Sequence, residues 1–175
     1  MLVGVTGLMG AGKTTLCNKI IELNKDIVYI NADKFRHKLF LNKNYINELT
    51  FNLNIKITNY KELNNLIYKN DEAMQIYKSI FYKYLFNDLN TYSDKIILLE
   101  WALILQDNLQ DKFEKLIIVD RKREDILKTN IFPDLTTDEV LLRLDIQEKS
   151  LKNCQITIPY IIHKDIDSTT KFIKN

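Results

Sequence analysis

Close to the N-terminus lies the run Gly7-Leu8-Met9-Gly10-Ala11-Gly12-Lys13-Thr14, which fits the pattern G-x-x-x-x-G-K-[ST]. Each residue type has a physical task. Small residues let successive backbone N–H groups converge on anionic oxygens, and a helix starting at the end of the run adds positive potential. A lysine at this place reaches the β- and γ-phosphates of a nucleoside triphosphate, and a hydroxyl next to it can ligate Mg²⁺. The expected nucleotide contacts are therefore Gly7, Gly10, Ala11, Gly12, Lys13, Thr14 and Thr15, with Thr14 as the Mg²⁺ ligand.

Such a loop must sit between a strand and a helix. Leu2–Thr6 is an apolar run bounded by Gly7, which reads as a buried strand, and Lys13–Leu23 carries Leu16, Ile20 and Leu23 at helical spacing. Further strands are expected at Ile27–Ile30, Lys95–Leu99, Leu116–Val119 and Ile156–Ile162, the last broken by Pro159, as in an edge strand or a bulge. Residues 34–93 are helical in pattern. Asp71–Leu89 is the clearest case, its Met74, Tyr77, Ile80, Phe81, Tyr84 and Leu85 forming a stripe that fits helix packing better than a ligand platform. A helix from about Thr137 follows a start signal at Thr136 or Thr137 with Asp138 and Glu139 in the first turn. Strands alternating with helices define an α/β, three-layer nucleotide-binding fold with a parallel sheet of about five strands. The expected layout is one domain over residues 1–175: a core of 1–39, 94–120 and 154–175, an inserted helical substrate subdomain at about 40–93, and a lid at about 121–153.

Composition narrows the class. The 175 residues are 46% hydrophobic with a net charge of +2, which suits a folded protein and offers no basic surface for nucleic acid. No run of 18 or more apolar residues marks a membrane span, and Met1-Leu2-Val3-Gly4-Val5 lacks the basic n-region and cleavage site of a signal peptide. Cys17 and Cys154 are far apart and read as small hydrophobes in a reducing, cytoplasmic setting. A monomer acting on a small molecule is expected. The 4 glycines, Gly4, Gly7, Gly10 and Gly12, are all spent before Lys13, which leaves none for a GTPase D-x-x-G switch or an ABC-type signature. Later helices must be capped otherwise, with Asn24, Asn70 and Asn153 as expected C-caps. What remains is the group of kinases that phosphorylate metabolites.

A kinase of this kind needs a group to orient or deprotonate the acceptor hydroxyl, and cations to offset the charge on the transferred phosphoryl. Asp33, just past the carboxyl end of the second strand, fits the first task; a cap of the helix Lys34–Leu39 is the competing role. Glu100 and Trp101 end the third strand at the same sheet edge, where a glutamate can orient Mg²⁺ through water, contact the acceptor, or simply terminate the strand. Arg121-Lys122-Arg123 follows the fourth strand and is either a phosphate contact or a solvated loop, while Lys112 and Lys115 read as surface charges. His37 and His163 have no cysteine or acidic cluster at metal-ligand spacing.

The order of these motifs resembles the dephospho-CoA kinase family. Val5-Thr6-Gly7 leads into the loop, Asn31-Ala32-Asp33 is similar to the family's D-A-D, and Ile97–Leu105 resembles its strand ending in P-L-L-x-E. Arg143-Leu144-Asp145-Ile146-Gln147 resembles the lid helix R-I-x-x-Q, preceded by T-x-x-E at Thr136–Glu139. The resemblance implies ATP and Mg²⁺ as cofactors and dephospho-CoA as the small-molecule acceptor. It implies Lys13, Asp33 and Arg143 as catalytic residues, and Thr6, Asp33 and, depending on alignment, Arg36 or His37 around the acceptor, where Glu100 is expected from its place at the sheet edge. The chain departs from the family at Asn31 for the first acid, Ala102 and Gln106 in the P-L-L-x-E stretch, Phe132 for a lid arginine, and Lys164 after the last strand. Arg121, Arg123 or Lys128 would then supply the second lid cation. A nucleoside or nucleoside-monophosphate kinase is the alternative on the same core, and a non-catalytic ATP-binding regulator is the alternative from another class.

Overall fold

Strand β1 (Leu2–Thr6) is the axis of a parallel sheet, since Val5 and Gly4 pair with Glu100 and Leu99 on one side and with Ile117 and Leu116 on the other. The computed structural model describes residues 1–129, 132 and 135–175. Among them the strands β2 (Ile27–Asn31), β3 (Ile96–Glu100), β4 (Lys115–Ile118) and β5 (Tyr160–Ile162) complete the order β2-β3-β1-β4-β5. The chain leaves β1 towards β2 and leaves β3 in the opposite direction towards β4. Adjacent strands with diverging connections open a crevice at their carboxyl ends, where ligands of such sheets bind.

Residues of β1 alternate between two faces. Val3 and Val5 join a cluster with Leu16, Cys17 and Ile20 of α1 (Lys13–Leu23), Val140 and Leu144 of α7 (Thr137–Asn153) and Ile173 of α8 (Ile166–Lys174). Burying each of the large aliphatic side chains contributes about 1.5–3 kcal/mol. On the other face Gly4 meets Ile104, Phe113 and Leu116, leaving no room for a side chain. The α6 helix (Arg123–Leu127) lies between β4 and α7. The capping box expected at the start of α7 is formed: Thr136 accepts from the Glu139 amide, and the Glu139 carboxylate accepts from the Thr136 amide at 2.8 Å.

The chain divides into one unit of Met1–Asn31 with Asp94–Asn175 and a second of Ala32–Ser93. The division falls before α2 (Ala32–Leu39) rather than at residue 40: α2 packs by Phe35 on Phe81 of α5 (Asp71–Asn90), and Phe40, just past its end, packs on Tyr60 of α4 (Tyr60–Ile67). The expected lid region belongs with the sheet; its residues 130, 131, 133 and 134 lie outside the described residues. In the helical unit, Tyr45 and Leu49 of α3 (Lys43–Leu53) are buried with Leu63 and Leu85, and Tyr45 meets Tyr84 edge-on. The α5 stripe is a packing face, with Tyr77, Ile80, Phe81 and Leu85 buried.

Several local expectations need correction. Asn70 is the N-cap of α5, its side chain accepting from the Ala73 amide at 3.0 Å, and not a C-cap. Asn153 is still helical, with Cys154 at the cap position, whereas Asn54 ends α3 in the left-handed conformation at φ 50°. Lys115 is not a solvated charge: its ammonium donates to the carbonyls of Phe172 at 2.9 Å and Ile173 at 3.3 Å, at the α8 C-terminus. There it satisfies orphan acceptors and the negative end of the helix dipole. The last strand pairs only over Tyr160–Ile162, since β4 offers it only Leu116–Ile118. Pro159 precedes it on this sheet edge, its carbonyl accepting from the Leu116 amide.

Candidate active site

The phosphate loop takes its shape from glycines with positive φ, Gly7, Gly10 and Gly12. Gly7 has φ 137°, and a Cβ there would lie 2.2 Å from the Val119 carbonyl oxygen; Gly12 has φ 102° and is the N-cap of α1. Neither conformation suits an L side chain. A turn from Leu8 O to Ala11 N (3.1 Å) closes the loop, and the bond from Leu16 N to Gly12 O (3.0 Å) starts the helix. Lys13 folds back over the run, 8% exposed, and its ammonium donates to the carbonyls of Gly7 at 3.0 Å and Leu8 at 2.8 Å. A cation held against the loop backbone is placed to meet an anion in the same cradle. Thr14 and Thr15 are exposed at the head of α1.

Glu100 is the most heavily engaged acid of the site. It is 6% exposed and accepts three hydrogen bonds: from Thr14 Oγ1 at 2.7 Å, from Asn31 Nδ2 at 2.8 Å, and from the Tyr29 hydroxyl. Burial first, and the bond to Glu100 second, push the Tyr29 phenol up, so it stays a donor across the working pH range. Asn31, which stands where the related pattern has an acid, pairs in register with Glu100 and supplies an N–H that an ionised aspartate could not. With its hydrogen pointed at Glu100, the Thr14 oxygen keeps its lone pairs for a cation. Hydroxyl and carboxylate oxygens together are the hard donors that Mg²⁺ takes, so the residues present fit that ion. Thr6 is buried at the end of β1, and its hydroxyl donates to Ala102 O at 3.4 Å; Trp101, which follows Glu100 in the sequence, is buried too. Burial foremost, with the charge of Glu100 next, pushes the Cys17 thiol up, so this cysteine is core and not nucleophile.

Two further side chains reach the loop from the far end of the sequence. Arg121 Nη1 donates to Gly10 O at 3.1 Å, and Gln147 Oε1 accepts from Met9 N at 2.7 Å. Of the three candidate replacements for the lid arginine, Arg121 is the one on the loop. Arg123 is bound to Asp145 and Glu148, and Lys128 faces Asp125 at 3.4 Å. Phe132 packs on the core instead. Arg143 is exposed on α7.

In the helical unit, Asp33 lies in the first turn of α2, one residue inside the helix rather than at its cap. Its carboxylate is paired with Arg36 at 3.6 Å, and the Arg36 guanidinium sits 5.3 Å from the centroid of the Tyr60 ring, which also stacks on His37 at 4.6 Å. The structure thus gathers Asp33, Arg36 and His37 within one unit, and Thr6, the phosphate loop and Glu100 within the other. The bonds made by Gln147, Asn31 and Tyr29 are not readable from the sequence; for Asn31 and Tyr29 the one signal is that residues 29–31 and 100 end adjacent strands.

A parallel β2-β3-β1-β4-β5 sheet with a glycine-shaped phosphate loop after β1 and a buried acid at the end of β3 defines a P-loop kinase fold. The chain belongs to the dephospho-CoA kinase family, matching the family CoaE: Dephospho-CoA kinase over residues 1–157. Membership makes it an ATP-dependent transferase that phosphorylates dephospho-CoA in coenzyme A biosynthesis. Among solved structures, TT1252 from Thermus thermophilus is similar at 15% identity and TM-score 0.69, over 98% of this chain and 92% of that one. Dephospho-CoA kinase from Campylobacter jejuni is similar at 20% identity and TM-score 0.53, over 99% of this chain and 93% of that one. Shikimate kinase from Aquifex aeolicus shares the fold at 13% identity and TM-score 0.51, over 99% of this chain and 94% of that one. No curated protein sequence matches the chain.

Proposed function

We propose that this chain transfers the γ-phosphoryl of ATP to the 3′-hydroxyl of dephospho-CoA with the following division of labour. The bond between Thr14 and buried Glu100 beside the phosphate loop, in a chain matching the family over residues 1–157, carries the reading. Gly7, Gly10, Ala11, Gly12, Lys13, Thr14 and Thr15 bind the triphosphate, the loop amides and Lys13 offsetting charge on the transferred group. Thr14, backed by Glu100, holds Mg²⁺, which when bound neutralises phosphate charge. Asp33 takes the proton of the acceptor hydroxyl as its oxygen bonds to the γ-phosphorus; the bond from phosphorus to the β–γ bridging oxygen breaks, and ADP leaves. Arg36 holds the Asp33 carboxylate, His37 and Thr6 line the acceptor, and Arg143 with Arg121 supplies cations at the phosphates. Catalysis is then mainly positioning and charge stabilisation.

The reading includes a cytoplasmic monomer. Both cysteines are free thiols, as a reducing compartment keeps them; none of the described helices is long and apolar enough to cross a membrane. Neither nucleic acid nor a membrane is needed as a partner. The test is to incubate the protein with ATP, with and without Mg²⁺, and with dephospho-CoA, nucleosides or nucleoside monophosphates in separate reactions. Formation of ADP and CoA only with dephospho-CoA and Mg²⁺ is the expected result. Turnover of a nucleoside without turnover of dephospho-CoA would sink the assignment.

A further inference from the structure

Gln147 has a place in the lid-helix motif but, so far, no task. Its contact is unusually informative. A backbone N–H can only donate, so the Met9 amide at 2.7 Å fixes the oxygen end of the Gln147 side chain on the middle of the phosphate loop. The carbonyl of the next residue, Gly10, is held by Arg121 at 3.1 Å, so neighbouring backbone groups are pinned from α7 and from the segment after β4. The rotation of α7 about its own axis is fixed as well. Leu144 is fully buried in the sheet's cluster, and Arg123 ties Asp145 and Glu148 to the start of α6. Residues four apart on a helix are neighbours on one face, so the face that Gln147 docks on the loop also carries Arg143.

We infer that Gln147 is a positioning residue: by docking α7 on the Met9 amide it aims Arg143 at the phosphates held by the same loop. The inference rests on the proposed role of Arg143 in phosphoryl transfer. The side chain does not touch the reacting atoms; it converts the helix and the loop into one aligned piece. A misplacement of about 1 Å in such an arrangement can lower turnover on the order of 100-fold.

The test uses the full chain carrying Gln147→Met, which keeps the length of the side chain and removes the acceptor, alone and combined with Arg143→Met. Gln147→Met is expected to lower kcat by about tenfold while the KM for each substrate and the Kd for ADP stay within about twofold. In the Arg143→Met background it is expected to cost nothing further, because a residue acting through another shows a non-additive loss. Exchange of the Met9 amide proton, followed by NMR, is expected to speed up in Gln147→Met and to recover in Gln147→Glu, which restores an acceptor of equal reach. An unchanged kcat, an equal fractional loss in both backgrounds, or unchanged Met9 exchange would each overturn the inference. Should Gln147→Met fail to fold, Gln147→Asn, one methylene short of the amide, takes its place with the same expectations. A wild-type protein that does not phosphorylate dephospho-CoA defeats the function proposed above and leaves this one testable, since the cycle can be run with whichever acceptor is turned over and the Met9 exchange needs no acceptor.

Discussion

The phosphate loop and the helical unit face the same backbone problem and solve it with different residues. Around the loop, Gly7, Gly10 and Gly12 take φ values of 137°, 73° and 102°. Across Ala32–Ser93 there is no glycine, and asparagine does the corresponding work. Asn42, Asn59 and Asn70 cap the starts of α3, α4 and α5, and Asn54 turns the end of α3 through φ 50°. Asparagine suffices where a helix end needs only a side-chain acceptor or a left-handed turn. It does not suffice where a backbone carbonyl already occupies the space of a Cβ, as Val119 O does at Gly7. Nor does it suit a cradle meant to bring main-chain N–H groups against a ligand. In one region the backbone shapes the loop; in the other, side chains such as the Asp33–Arg36 pair carry the polar contacts.

That contrast can be broken or sharpened by substitution. If the helical unit contributes a side chain to the chemistry, Asp33→Asn is expected to lower kcat on the order of 10²–10⁴-fold, with ATP affinity unchanged by calorimetry. Unchanged turnover would reduce Asp33 to a partner of Arg36 and leave the unit without a chemical role. Next in size, Gly7→Ala is expected to cost at least about 2 kcal/mol in urea unfolding, from positive φ and the Val119 contact together. Gly7→Asn should cost as much, and a clearly milder loss for asparagine would mean that φ alone sets the requirement. The smallest effect is expected at Asn70→Ala, about 1 kcal/mol for a lost N-cap. This should appear as a Tm about 2–4 °C lower, with Asn70→Ser close to wild type.

The loop and its flanks were legible because their constraints are local. Leu2–Thr6 and Lys13–Leu23 are bounded by residues that can adopt few alternatives, and both elements form at the expected residues. Asn70 is ambiguous in the sequence because asparagine suits either end of a helix; the acids Asp71 and Glu72 that follow are what mark a start. Lys115 could not be placed, since its partners lie 57 and 58 residues away and its aliphatic stem lets the charge reach them over an apolar surface. The network on Glu100 is hidden for the same reason: Thr14 is 86 residues distant and becomes a neighbour only when β3 pairs with β1. Motif spacing identifies the nucleotide loop, whereas the partners that orient it are set by the register of the sheet.

The central place of β1 has a consequence for how the molecule comes apart. A strand hydrogen-bonded on both sides and covered on both faces exchanges its amides only when most of the unit opens, whereas an edge strand such as three-residue β5 frays easily. The nucleotide cradle is therefore suspended from the segment that melts last. Partial loosening, by heat or by drift of the sequence at the rim, would blunt turnover well before it abolished affinity for ATP.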